Sequence, residues 1–474
     1  MTRSRNAQVS VLYTAMEPMQ NGQHIVENGS HCVKHPNTNH ITRRGFLATV
    51  SAAAAPMIVP ASALGRGGVV APSERIVMGV IGVGGQGDRD MRNLIQVPGV
   101  QMVAVCDVDS GSENYEREWF RGRAQAVQAL QEHYGANAAI GTWRGVDEYV
   151  DYRDLLARDD IDAVSIATPD HWHGTMVVAA AESGKDIYCQ KPLSLDIAQG
   201  KAMVDAVHRY GRVFQTGSQR RSSDRCRYSC ELVRNGRIGK LHTIKVGLPG
   251  GQPLAVPDNP IAEPPPNLDY DRWLGPAPWA PYTLRRCHFT FRWNYDYSGG
   301  QVTDWGAHMI DMAHWGMDTE LSGPVEVEGE AQYPHDWLNN TAPEFAFRCT
   351  YAEGYTMIVS STFPTGVRFE GTDGWIDLEG GASNPAIKQE PIGPNETRLY
   401  ASSEHYHNFI DCVRTRQRTA APVEIAHRSI SVAHLGNIAM RLRRKIQWDP
   451  EKERIVDDAT AERLLARSKR APWA

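Results

Sequence analysis

The chain has no long apolar run, no paired-cysteine motif and no large excess of one charge, and each lack removes a class of protein. Outside a small-residue stretch near its start, no segment approaches the eighteen apolar residues of a membrane-spanning helix. Its 50 Lys and Arg nearly balance 55 Asp and Glu, for a net charge of −5, so neither nucleic acid nor an anionic membrane is indicated as a partner. There are eight cysteines and no C-x-x-C pair. Cys226 and Cys230 stand four apart, but a scattered set, odd once Cys32 is set aside, makes neither a disulfide framework nor structural zinc. Asp304, His308 and Asp311, with His171 or His173, are conceivable metal ligands, yet no H-E-x-x-H or similar spacing occurs and no metal is expected. Internal repeats, heptads and low-complexity tracts are also missing.

What is present begins at 74–109, the stretch around which the rest is organised. Residues 76–81 are apolar and β-branched, as suits a strand buried on both faces. Gly82-Val83-Gly84-Gly85-Gln86-Gly87 follows at once and fits G-x-G-x-x-G. Gly82 makes the tight turn, Gly84 lets backbone approach a pyrophosphate, and Gly87 allows close helix–strand packing. A helix expected from about Asp88 would turn its N-terminal N–H groups towards a diphosphate. A second apolar run, 102–105, leads into Cys106 and Asp107, twenty residues after Gly87, where a carboxylate should meet a ribose 2′-hydroxyl. Asp107 would repel a 2′-phosphate and Val108-Asp109 offers no arginine to receive one, so NAD is favoured over NADP.

Residues 1–63 stand apart from the fold. Thr42-Arg43-Arg44-Gly45-Phe46-Leu47 reads as a twin-arginine signal, 48–60 as its small apolar run, and Ala61-Ser62-Ala63 as an A-x-A cleavage site. The expected partner is the twin-arginine export machinery, and the expected destination is the periplasm or secretion. That route carries folded proteins, so a cofactor loaded inside would have to stay bound outside. Without the signal, 411 of 474 residues remain, enough for two domains.

Beyond Asp109 a polar helical segment runs to Tyr134, and 143–156 carries helix-like charge spacing. Residues 161–168 read as a buried strand, 174–183 as a helix stopped by Gly184, and 186–189 as another strand. Strands alternating with helices make a doubly wound parallel sheet, whose ligands lie beyond the C-terminal strand ends. Gly82, Asp107, Thr168, His173 and Lys191 all fall there. A helix is expected at 225–237; from 241 onward the pattern turns to strands, with helices at 303–315, 404–414 and 429–443. The Pro- and Gly-rich excursion 249–281 continues to 297 with Arg285, Arg286, His288, Arg292 and Trp293, aromatic faces beside hydrogen-bonding groups that suit a sugar.

With Thr168-Pro169-Asp170-x-x-His173, Gln190-Lys191-Pro192, Phe214 to Gln219, Gly299 to His308 and Ala426-His427-Arg428-Ser429, the chain resembles the glucose-fructose oxidoreductase/inositol dehydrogenase (Gfo/Idh/MocA) family. The resemblance implies a Rossmann domain over 74–195 and an α/β domain over 196–474 with an open, mostly antiparallel sheet. It further implies a homo-oligomer and a last segment packing back on the first domain. By the same resemblance NAD would meet Gly82, Gly84, Gly85, Gln86, Gly87, Asp107, Thr168, Pro169, His173, Gln190 and Lys191. Lys191, Asp304 and His308 would be catalytic, and Gln219 and Trp293 would meet substrate. Asp304 and His308, four apart, would share one helix face. The family's usual motif is Glu-Lys-Pro; with Gln190 in the glutamate's place, Lys191 is expected to titrate lower, nearer a useful base.

The expected function is an exported NAD-dependent oxidoreductase acting on a secondary alcohol of a sugar, glycoside or polyol. Two other classes fit the same residues. One is a redox-neutral, NAD-dependent enzyme that cleaves glycosides by oxidation, elimination and re-reduction. The other is a non-catalytic sugar- or NAD-binding module.

Overall fold

The computed structural model describes residues 70–115, 120–135, 145–251, 259–334 and 338–473. The signal and cleavage motifs lie outside these residues. Among the described residues no helix is long and apolar enough to cross a membrane, and the seven cysteines there are free and buried.

The first sheet is parallel throughout, in the order β3-β2-β1-β4-β5-β6. Its strands are β1 (Ile76–Ile81), β2 (Val100–Cys106), β3 (Asp147–Tyr149), β4 (Ala163–Ile166), β5 (Asp186–Cys189) and β6 (Phe214–Thr216). Helices α1 (Gly85–Leu94), α2 (Arg123–Gly135), α3 (Tyr152–Leu156), α4 (Asp170–Glu182) and α5 (Ile197–Arg209) connect them. β4 and β5 are wholly buried, which explains why their sequences are continuous apolar runs rather than alternating ones. Two local expectations shift. The stretch 143–156 contains β3 as well as the short α3, and the helix expected from Gly174 begins at Asp170, drawing His171 and His173 into its first turn.

After α6 (Asp224–Arg234) comes an eight-stranded sheet in the order β12-β11-β7-β10-β9-β8-β13-β14. These strands are β7 (Leu241–Gly247), β8 (Glu326–Gln332), β9 (Glu344–Thr350), β10 (Thr356–Ser360), β11 (Gly366–Gly371), β12 (Gly374–Asp377), β13 (Ile446–Asp449) and β14 (Arg454–Val456). Only β7 and β10 pair in parallel. Between β7 and β8 lie α7 (Tyr270–Leu274), α8 (Gln301–Asp304) and α9 (Gly306–Met317); α10 (His405–Thr415) and α11 (Val423–Leu442) follow β12, and α12 (Ala459–Glu462) follows β14. α11 is buried along nearly its whole length and packs on α9, on β8 and on α5 of the first sheet. Each of its Val, Ile and Leu side chains contributes about 1.5–3 kcal/mol by leaving water, so this one helix fastens both sheets together.

The excursion 259–297 does not hang free. It has its own core of Leu268, Trp273, Leu274, Tyr282, Phe291 and Tyr297, and it is laced to the loop after β2. Ser110 N–H donates to Asn267 O (2.8 Å), Asp269 N–H to Val108 O (2.9 Å) and Asn267 Nδ2 to Asp109 Oδ1 (2.9 Å). The segment therefore roofs the C-terminal ends of β1, β2 and β4.

Candidate active site

Under that roof lies a cleft of about 1250 Å³. One wall is the glycine turn. Gly82 has φ +82°, and a Cβ there would sit 2.8 Å from the Ala167 carbonyl. A Cβ on Gly87 would come 2.0 Å from Gly82 O, and one on Gly84 would enter the Tyr115 ring at 2.6 Å. The turn is thus a cradle only glycine permits. α1 starts with no side chain capping it, so its first N–H groups are left for an anion. Asp107 lines the cleft, Oδ2 accepting from Val83 N–H (2.7 Å) and Oδ1 from Asp109 N–H (2.9 Å). Burial pushes its carboxyl up to about 6, with those N–H groups opposing. The remaining lone pairs suit ribose hydroxyls. These residues fit a nicotinamide dinucleotide, with Gly82, Gly84, Gly85, Gln86, Asp107, Thr168, Pro169, Gln190 and Lys191 all lining the space.

Four expected contacts sit elsewhere. His173 is buried behind the cleft wall, Nδ1 2.7 Å from Pro192 O and Nε2 2.9 Å from Thr168 O. Both ring nitrogens lie against carbonyls of the two loops, one of them donating, so the ring sits between the loops that face the cleft instead of touching a ligand itself. Gln219 donates from Nε2 to the Tyr188 hydroxyl (3.2 Å), away from the cleft. Trp293 is buried, its carbonyl accepting from the Asn340 and Thr341 N–H groups; its neighbours Phe291 and Arg292 line the cleft. Gly87 acts as a packing residue beneath the turn.

At the far end of the cleft Lys191 Nζ lies 2.7 Å from Asp304 Oδ1, and both side chains are largely buried. Arg292 Nε adds a second cation at 3.4 Å. Burial alone would raise the Asp304 carboxyl, but Lys191 and Arg292 outweigh it and hold the group well below the usual carboxylate range. The single helix expected over 303–315 is two, α8 and α9, with Trp305 between them. Asp304 pairs with Lys191, and no hydrogen bond ties it to His308. Burial first, then the Lys191 charge, push His308 down to about 3 against the pull of Asp304, and its Nδ1 is buried with no protein partner. The imidazole is neutral.

The Gln190 expectation is corrected here. Its Nε2 donates to buried Asp90 (2.8 Å), which also accepts from Gln86 Nε2 and the Tyr406 hydroxyl (2.8 Å each), while its Oε1 accepts from the Lys191 backbone N–H (3.3 Å). Lys191 does not lack a carboxylate partner; Asp304 supplies it from the second sheet's side. Asp311 and His314 are structural, Asp311 pairing with buried Arg221 (2.7 Å) and His314 meeting the Tyr351 hydroxyl (2.8 Å).

Comparison with known proteins gives two matching models of one family. Residues 76–218 match the Gfo/Idh/MocA oxidoreductase family, NAD-binding Rossmann fold, and 256–474 match its C-terminal alpha/beta domain. A glycosyl hydrolase family 109 protein of Shewanella baltica is 31% identical over 187 residues, 36% of this chain and 38% of the relative. The myo-inositol 2-dehydrogenase of Thermotoga maritima is 26% identical over 244 residues, 52% of this chain and 55% of the relative. The chain thus spans about half the length, or less, of these curated relatives. Among solved structures, the WlbA dehydrogenase of Bordetella pertussis in complex with NADH and UDP-GlcNAcA superposes with a TM-score of 0.53 at 16% identity, covering 79% of this chain and 99% of that one.

Proposed function

We propose, from the premise that this chain belongs to the Gfo/Idh/MocA oxidoreductase family, that it oxidises or reduces a secondary hydroxyl of a sugar, glycoside or polyol. We further propose that NAD, rather than NADP, serves it and stays bound after twin-arginine export to the periplasm or beyond. The observation that carries the reaction is the Lys191–Asp304 pair at the end of a glycine-walled cleft, with neutral His308 nearby. When bound, the dinucleotide supplies the two-electron exchange; every proton is the protein's to handle. His308, kept neutral by burial and by the Lys191 charge, accepts the hydroxyl proton. The Lys191 ammonium, fixed by Asp304, stabilises the oxyanion that develops as the proton leaves. Asp304 sets the position of that charge.

Retention is supported by the roof, since the loop after β2 is bonded to 267–269 and cannot open without breaking those contacts. The preference for NAD rests on Asp107. Arg272 also lines the cleft, but it is engaged by Asp269 (2.5 Å) and Asp151 (3.6 Å). The deciding experiment is to purify the full chain without added cofactor and follow absorbance in the reduced-nicotinamide band while sugars and glycosides are added. A lasting rise with one substrate is expected; protein carrying no nucleotide would remove the retained-cofactor claim.

A redox-neutral reading is favoured by the same roof and by the glycosyl hydrolase relative. A base and an oxyanion-stabilising cation also serve elimination next to an oxidised ring carbon. Release of a glycoside's leaving group with no lasting absorbance change would select it.

A further inference from the structure

We infer that the segment 466–473, far in sequence from the Rossmann motifs, completes the adenine end of the cleft and that Trp473 is a cofactor-binding residue there. This rests on the dinucleotide reading above. From Asp107 the cleft runs two ways. One direction reaches Gln190 and Lys191, where the reacting groups are. The other reaches Tyr152, Trp172, Met176, Arg272 and Trp473, with no reactive side chain among them. If the nicotinamide belongs to the first end, the adenine belongs to the second.

The second end has the chemistry of a purine site. Tyr152 and Trp172 meet edge to face at 5.6 Å and 69°, and Trp172 and Trp473 at 5.2 Å and 80°. The Arg153 guanidinium lies 5.2 Å from the Trp473 ring on another side. Trp473 Nε1 is buried and has no partner. An indole N–H shut away from water wants an acceptor, and a purine brings ring-nitrogen acceptors together with a flat face for the aromatic walls. Trp172 is itself fixed, donating from Nε1 to Trp273 O at 3.1 Å in the roof.

The segment that delivers Trp473 is tied down at both ends of its path. Arg467 N–H donates to Asp196 Oδ2 (3.0 Å) beside α5, and the Arg467 guanidinium lies over Tyr295 at 3.7 Å. Arg470 N–H donates to Pro276 O (2.8 Å), its Nε to Gly275 O (3.0 Å) and its Nη1 to Asp271 Oδ1 (2.6 Å). Trp473 N–H then turns back to Arg470 O at 2.9 Å. The segment straps the roof to the Rossmann sheet and seats its tryptophan in the cleft, so adenosine can leave only when the strap lifts.

The test is ADP-ribose binding by calorimetry, using the full chain freed of nucleotide. ADP-ribose carries the adenine, ribose and diphosphate but cannot react, so the readout is independent of turnover. Trp473→Ala should weaken it about tenfold or more, the scale of losing one base–aromatic contact. Trp473→Phe, which keeps a ring but loses the N–H, should fall between. Arg470→Ala, outside the cleft, should weaken binding in the same direction by loosening the strap. The nucleotide-free midpoint of Trp473→Ala should fall with the lost Trp172 packing, and the rise that ADP-ribose induces above that midpoint should shrink relative to the wild type. Unchanged ADP-ribose affinity in Trp473→Ala, with tight binding in the wild type, overturns this inference alone. A wild-type chain that binds no ADP-ribose overturns the dinucleotide reading and this inference with it.

Discussion

At its diphosphate end the cleft is almost all backbone, whereas at its reaction end it is almost all charged side chain. The first end is specified by what is missing, the Cβ atoms of Gly82, Gly84 and Gly87, and by N–H groups with no cap. The second is specified by what is balanced, Lys191 and Arg292 around Asp304, with His308 kept neutral beside them. A site made of backbone tolerates a change of charge and fails on a change of shape. A site made of paired charges should do the reverse. The largest expected effect breaks the second half of that statement. Lys191→Ala removes the cation at the reacting oxygen and should lower kcat about a thousandfold, while nucleotide content per protomer, read from acid-released absorbance, stays at the wild-type level. Loss of nucleotide together with activity would show that the two ends are not separable.

The converse substitution is Gly87→Ala. Its new Cβ would lie 2.0 Å from Gly82 O, a backbone atom that cannot step aside without reshaping the turn. Overpacking of this kind costs about 1–3 kcal/mol. The thermal midpoint should fall and nucleotide content with it, yet saturating NAD should restore much of the activity, because Lys191, Asp304 and His308 are untouched. Unrestored activity would mean that the turn also orders the reaction end.

Between the two ends stands Asp170, in the cofactor loop, whose Oδ2 accepts from Ser298 Oγ (2.6 Å) just ahead of α8. Burial pushes its carboxyl from 3.8 up to about 7. Because this group ionises more readily unfolded than folded, its contribution to stability is complete below about pH 4 and is lost as pH rises through 7. Asp170→Asn cannot ionise, so its thermal midpoint should gain on the wild type between about pH 4 and pH 7 and keep a level lead above that. A constant difference between those two values would mean that Asp170 is already charged in the fold.

The same contrast explains how legible each end was in the sequence. The diphosphate end is one contiguous stretch whose strand, glycines, helix and Asp107 obey local rules, so its residues could be read in order. The reaction end joins β5 to α8 and the roof across more than a hundred positions; Lys191 could be placed at a strand end, but its role and those of Asp304 and His308 came only through family resemblance. Their partners did not. That Asp304 faces Lys191 is a contact across 113 positions, which no local spacing marks. His173, Gln219 and Trp293 were misplaced for a related reason: each lies near the cleft in sequence logic, but its hydrogen bonds go to loops or rings that only the fold brings near. Trp473 and Arg272 had no motif at all. The mostly antiparallel second sheet was anticipated in kind, while β3 was obscured by the charges of Asp147 and Glu148 on an edge strand exposed to solvent.

The smallest effect is also the sharpest test of where the charge balance ends. Gln190→Glu restores the family's usual residue, but here the side chain faces Asp90, not the Lys191 ammonium. Burial already holds Asp90 up to about 6, despite hydrogen bonds from Gln86, Gln190 and Tyr406. A second carboxyl beside it would make a pair that shares one proton, with the later ionisation raised further. By the same linkage the variant should match the wild type near pH 5 and lose stability as pH rises towards 8. Its kcat should change far less than in Lys191→Ala, since the Lys191–Asp304 contact is left alone. A kcat loss as large as that of Lys191→Ala, with no pH-dependent loss of stability, would mean that residue 190 acts on the lysine after all, and that the charge balance of the reaction end reaches back into the Rossmann core through Asp90.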